Sequence, residues 1–73
     1  MTNLKRKFGE KIKKLRVEKG VTQEQLADEA GISVDFLSLI ERGRNAPSFK
    51  NLEKIARALK VSVKDLFEFD FNV

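Results

Sequence analysis

The stretch that decides the fold is Thr22 to Gly43, TQEQLADEAGISVDFLSLIERG. Thr22 followed three residues later by Gln25 is a capping-box pattern that starts a helix. Leu26, Ala27 and Ala30 then fall on one face, and Gly31 supplies a stop that tolerates the left-handed conformation. Ser33 is the next N-cap candidate, Leu37 and Ile40 share a face three residues apart, and Gly43 closes this second short helix. Ala27 is small where one helix must approach the other, and Leu26, Ala30, Ile32, Leu37 and Ile40 are able to bury together. That leaves Val34, Asp35, Ser38, Leu39 and Arg42 pointing away from the core. Two short helices joined by a glycine-containing turn make a helix-turn-helix, whose second helix is presented to the major groove of DNA.

Upstream, Leu4, Phe8, Ile12 and Leu15 recur at helical spacing and Gly20 follows, which predicts a first helix over roughly residues 3 to 19. Downstream, Arg44 to Pro47 reads as a turn and Ser48 as an N-cap, and Phe49, Leu52, Ile55, Ala56 and Leu59 form the apolar stripe of a fourth helix. Ser62 with Asp65 repeats the capping-box spacing and predicts a brief fifth helix through Leu66. In the tail, residues 67 to 73, Phe67, Phe69, Phe71 and Val73 alternate with Glu68, Asp70 and Asn72, which is strand periodicity. A lone strand of this length is unstable, so the tail needs a partner in this chain's core or in a second copy. The expectation is one all-α domain over residues 1 to 73, five helices with a short extended aromatic tail.

Composition narrows the function. The 73 residues carry 15 Lys and Arg against 11 Asp and Glu, a net charge of +4, with no Cys and no His. Disulfides, a thiolate nucleophile, zinc sites built on Cys or His and Ser-His-Asp catalysis are therefore unavailable. No enzyme activity, metal or cofactor is expected, and so small a domain offers no obvious small-molecule pocket. No apolar run approaches the roughly 18 residues of a membrane span, and the first 20 residues lack the apolar block of a secretory signal. A cytoplasmic location is the expectation. Residues 1 to 20 hold Lys5, Arg6, Lys7, Lys11, Lys13, Lys14, Arg16 and Lys19 against Glu10 and Glu18, whereas the C-terminal end is acidic. Such clustering suits a polyanionic partner; the plainer reading is a solvated helix face that keeps a small protein in solution.

Thr22-Gln23, Leu26-Ala27, Gly31-Ile32-Ser33, Leu37-Ser38, Ile40-Glu41-Arg42-Gly43 and Pro47-Ser48 together resemble the lambda-repressor-like family of helix-turn-helix regulators, which includes Cro, phage repressors and xenobiotic-response-element proteins. Leu52, Ile55-Ala56, Ala58-Leu59 and Asp65-Leu66-Phe67 are similar to the last two helices of that family, so the likeness spans nearly the whole chain. It implies a compact five-helix domain that binds double-stranded operator DNA as a homodimer, as a repressor or autoregulator. It places Ser33, Val34, Asp35, Ser38 and Leu39 at base-reading positions. Thr22, Gln23, Phe36, Arg42, Arg44, Ser48 and Lys50 fall at phosphate-contacting positions, and Leu66, Phe67, Phe69 and Phe71 at the dimer contact.

Physical reasons accompany these roles. Gln23 and Ser48 to Lys50 begin helices, where exposed N–H groups hold phosphate, and Arg42 and Arg44 follow the reading helix as phosphate clamps. Val34 suits a thymine methyl and Asp35 a cytosine N4 amino group, although Asp35 equally complements the helix dipole. Polar amides or basic residues are more usual in the family at positions 34, 35 and 39. Phe36 either presses on the sugar-phosphate backbone or packs inward. Two rival roles share the fold: a protein-interaction module such as an antitoxin, and a restriction-modification controller.

Overall fold

The computed structural model describes residues 3–70. Four α-helices, α1 (Leu4–Glu18), α2 (Gln23–Ala30), α3 (Val34–Glu41) and α4 (Phe49–Leu59), are followed by a single 3₁₀ turn at Lys64–Phe67. The last three helices start on caps that the sequence supplies. Thr22 Oγ1 accepts from the Gln25 N–H at 3.0 Å while Gln25 Oε1 accepts from the Thr22 N–H at 2.9 Å, a complete capping box. Ser33 caps α3 through the Phe36 N–H at 3.0 Å, and Ser48 caps α4 through the Asn51 N–H at 3.1 Å.

Helix α2 packs against α4 and α3, while α1 lies across α3 and the 3₁₀ turn. The core between them is Phe8 and Ile12 of α1, Leu26, Ala27 and Ala30 of α2, Leu37 and Ile40 of α3, and Leu52, Ile55, Ala56 and Leu59 of α4, closed by Leu66. Gly9 lets α1 and α3 touch backbone to backbone: a Cβ there would collide with the carbonyl oxygen of Ile40 and lie 2.9 Å from that of Glu41. Helix α3 is thereby seated on a rigid support.

The expected fifth helix is only a 3₁₀ turn. The reciprocal cap forms, with Asp65 N–H to Ser62 Oγ at 3.1 Å and Ser62 N–H to Asp65 Oδ2 at 3.0 Å, but four residues close just one tight turn. Two residues of the expected apolar stripes are exposed, Phe49 at 86% and Leu4 at 42%. Each is the first residue of its helix, one turn beyond the point where the helix meets the core.

The tail is not extended through residue 70. Glu68 has φ −81° and ψ 81°, and the Phe69 N–H donates to the Phe67 carbonyl at 2.9 Å, the geometry of an inverse γ-turn. Phe67 packs on Phe8, ring centroids 4.9 Å apart, and the turn brings Phe69 against Phe67 at 6.3 Å, both pairs tilted. Lys7 Nζ donates to the Asp70 carbonyl at 2.9 Å. Leu66, assigned by resemblance to the dimer contact, is fully buried inside its own chain because it fills the gap between α1 and the rest of the core, so it has no surface to offer a partner. Phe71 lies outside the described residues.

Candidate nucleic-acid interface

Capping and burial together decide what α3 presents. With Leu37 and Ile40 fully buried, its opposite face carries Asp35 and the partly exposed Leu39, while Ser38, partly exposed, and Val34, 37% exposed, stand at the flank. Ser33 is exposed, but its oxygen is engaged by the Phe36 N–H. Val34 to Glu41 contains no lysine, arginine or amide, so the accessible side of α3 offers a methyl surface, the Asp35 carboxylate and the Ser38 hydroxyl. Phe36 is partly buried and packed against the core, which favours the inward alternative for its ring.

Cationic and N–H donors surround this face. Arg42 is exposed just past α3 with Nε 3.4 Å from the Ser38 carbonyl, and Arg44 is exposed in the following loop. Lys50 stands exposed in the first turn of α4, whose initial N–H groups lie beside the capping Ser48. Helix N-termini and arginines so placed suit phosphate oxygens. Thr22 spends both its hydroxyl and its N–H on the capping box. The Gln23 side chain is turned inward instead of outward, with Nε2 donating to Glu41 Oε1 at 3.0 Å. What the start of α2 presents to an anion is therefore its backbone more than a reaching amide.

Sequence reasoning gave no role to the group that locks these elements together. Arg16 of α1 binds Glu41 of α3 with Nε to Oε2 at 2.7 Å and Nη2 to Oε1 at 3.2 Å, and its Nη1 donates to the Val21 carbonyl at 2.8 Å. The two side chains are only 12% and 3% exposed. With Gln23 added, one carboxylate ties α1, α2 and α3 at the base of the reading helix. The signal lay in the spacing: Arg16 follows buried Ile12 by four residues, and Glu41 follows buried Leu37 by four, so both charges occupy inward helix faces.

This arrangement of a supported reading helix, flanking arginines and capped N-termini is matched at the level of sequence: residues 12–66 fit the family model HTH_3, described as helix-turn-helix. The chain belongs to this family. HTH_3 is the Cro and C1 type of lambda-repressor-like domain, so the resemblance drawn from the motif holds. Control protein C.BamHI of Bacillus amyloliquefaciens is 41% identical over 68 residues, covering 92% of this chain and 84% of its own length. The regulator SinR of Bacillus subtilis is 43% identical over 62 residues, 84% of this chain and 56% of SinR. The crystal structure of the restriction-modification controller C.AhdI from Aeromonas hydrophila superposes with a TM-score of 0.83 at 37% identity, covering 85% of this chain and 94% of that one. This HTH_3 protein is a DNA-binding transcriptional regulator, of a family that is not enzymatic. Among the described residues no helix is long and apolar enough to cross a membrane.

Proposed function

We propose that the chain is a sequence-specific regulator that binds a two-fold-related operator as a homodimer and represses or autoregulates transcription. The observation that carries the reading is the outer face of α3: Val34 and Asp35 exposed, backed by buried Leu37 and Ile40, and bordered by Arg42 and Arg44. In this reading Val34, Asp35, Ser38 and Leu39 meet base edges, with Ser33 at the groove margin. Arg42, Arg44, Lys50 and the first N–H groups of α2 and α4, beside Thr22, Gln23 and Ser48, hold phosphates. Two copies place their reading helices about 34 Å apart, one turn of the duplex. Phe67 and Phe69, being partly exposed, remain available to the partner surface.

The relatives favour one biological setting. C.BamHI is a control protein and C.AhdI a restriction-modification controller, so control of a restriction-modification operon is preferred to the antitoxin role. The test is binding to DNA from upstream of the chain's own gene, at two salt concentrations with competitor present. One fragment is expected to be retained by two copies, with affinity falling steeply as salt rises, at a log-log slope of about −0.9 per phosphate neutralised. Arg42→Ala is expected to weaken all DNA alike, whereas Asp35→Asn changes preference at one base pair. Loss of the same size on every sequence from both variants would overturn this division of labour.

A further inference from the structure

We infer that the accessible side of α3 reads a cytosine amino group together with a pyrimidine C5-methyl group, so that occupancy of the operator follows the methylation of its cytosines: a methyl on C5 strengthens binding and a methyl on N4 opposes it. The inference rests on the base-reading role proposed for α3 and names the chemistry which that role recognises. Asp35 is exposed, and among the described residues no hydrogen bond or ion pair engages its carboxylate. Leu39 follows it by four residues, which sets the two on one helix face with Cβ atoms about 5–6 Å apart. Leu39 is partly exposed and, among the described residues, is not one of the apolar side chains that pack on the core. Val34, exposed in the first turn, extends the apolar surface along the Ser38 flank. The Ser38 hydroxyl is the only side-chain hydrogen-bond donor in α3.

Such a face selects among base edges by elimination. An ionised carboxylate accepts hydrogen bonds and donates none. In the major groove guanine shows two acceptors and thymine a carbonyl oxygen, while adenine shows a donor with the N7 acceptor beside it. Cytosine alone shows a donor, N4, whose neighbour in the groove is a carbon, C5. Asp35 therefore fits cytosine, and Leu39 fits what lies beside that amino group when it is a methyl. Two sources put a methyl there: C5 of the same cytosine once methylated, or a thymine on the adjacent base pair, about 3.4 Å along the duplex. Both fall within the separation of Asp35 and Leu39. Unmodified cytosine carries only hydrogen at C5, so a methyl there adds apolar contact without removing a polar one. Methylation at N4 acts in the opposite sense. One N4 hydrogen is committed to the guanine pair and the other faces the groove, so a methyl in place of the second leaves the Asp35 carboxylate desolvated against carbon.

Fluorescence anisotropy with the full chain tests this on a duplex selected for tight binding from a random library. Asp35→Ala locates the cytosine, as the position at which base preference relaxes. Duplexes are then made with 5-methylcytosine or N4-methylcytosine at that position, or with deoxyuridine in place of a neighbouring thymine. Methylation at C5 is expected to tighten binding about fourfold, the effect of burying one methyl group, or deoxyuridine to weaken it by the same factor where thymine is the source. Methylation at N4 is expected to weaken binding by about tenfold or more. Leu39→Ala, whose side chain lies outside the core, is expected to keep its far-ultraviolet dichroism and the N4 penalty while losing the response to either methyl. A base preference that Asp35→Ala relaxes, combined with indifference to N4 methylation or to both C5-methylation and deoxyuridine, would overturn this inference and leave base reading by α3 standing. A chain that binds every duplex equally, with Asp35→Ala changing no preference, would overturn base reading itself, and this inference with it.

Discussion

Removing the Glu41 carboxylate is the sharpest perturbation of the fold. In Glu41→Ala the Arg16 guanidinium, 12% exposed, loses both carboxylate bonds and keeps the Val21 carbonyl. Breaking one side of a buried ion pair costs about 3–5 kcal/mol, since the remaining charge stays desolvated. Residual exposure of Arg16 places this case near the lower limit, about 3 kcal/mol, and the Gln23 amide adds less than ~1 kcal/mol because water reaches it. A 73-residue domain has roughly 4–11 kcal/mol in total at about 0.05–0.15 kcal/mol per residue, so the variant loses a large share. The melting temperature should fall by more than about 12 °C, at ~4–8 °C per kcal/mol for this size. The double variant Arg16→Met, Glu41→Leu removes both charges and should recover wild-type stability or exceed it by up to ~1–4 kcal/mol. Urea unfolding followed by far-ultraviolet dichroism, with the m-value held common, measures both. A loss below about 1 kcal/mol in Glu41→Ala, or a double variant no more stable than the single, would refute the reasoning.

Further expectations concern backbone and termini. Gly9→Ala should destabilise by more than about 3 kcal/mol in thermal melts, because its Cβ meets backbone carbonyls that have no room to move. Gly20→Ala, at φ +69° with nothing within 4 Å, should cost only about 1–2 kcal/mol of left-handed strain. Lys60 ends α4 in the left-handed conformation at φ 60°, so Lys60→Gly should raise stability by about 1 kcal/mol in urea unfolding. The Ser62 N–H, then its hydroxyl, holds the Asp65 carboxyl below its ordinary value of 3.8. A carboxyl depressed in the folded state stabilises above its unfolded pKa, and that contribution disappears as pH falls through the folded one. Ser62→Ala removes only the hydroxyl and keeps the N–H, so the Asp65 titration, followed by carbon NMR, should move part of the way back toward 3.8, and a full return would contradict the N–H as the leading cause.

What the sequence disclosed and what it withheld divide by the range of the interaction. The starts of α2, α3 and α4 were legible because Thr22, Ser33 and Ser48 each bond an N–H three residues away, and such caps are written within one turn. The inward faces of α2 and α3 followed from spacing alone. Residues 67–70 depart from the extended run that the period-two alternation of the tail predicts, because the γ-turn at Glu68 accompanies the docking of Phe67 against Phe8, nearly sixty residues earlier. The inward turn of Gln23 was hidden for the same reason. It answers to Glu41, 18 residues away, and Glu41 answers to Arg16, 25 residues away, so neither orientation is encoded locally. Phe49 and Leu4 show the limit of periodicity: a stripe gives the direction of a side chain but not where the neighbouring helix ends.

In the proposed interface, affinity and discrimination reside on different parts of the molecule. The outer face of α3 carries Asp35 and no cation, so bringing it to a duplex is electrostatically unfavourable by itself. On the proposed reading Arg42, Arg44, Lys50 and the helix N-termini supply the attraction, and such groups sense phosphate charge, which is the same on every sequence. Arg16 adds little to that field, since Glu41 neutralises it inside the fold. As the proposed base reader, Asp35 would act chiefly through what it refuses. Opposite an amino group of cytosine its carboxylate is paired; opposite a guanine or thymine oxygen it is desolvated against another acceptor. An unpaired ionised group costs more than the ~1–3 kcal/mol of a neutral mismatch. The buried Arg16, Glu41 and Gln23 network makes that penalty effective, because a reading helix tied to α1 and α2 is unable to shift and relieve it.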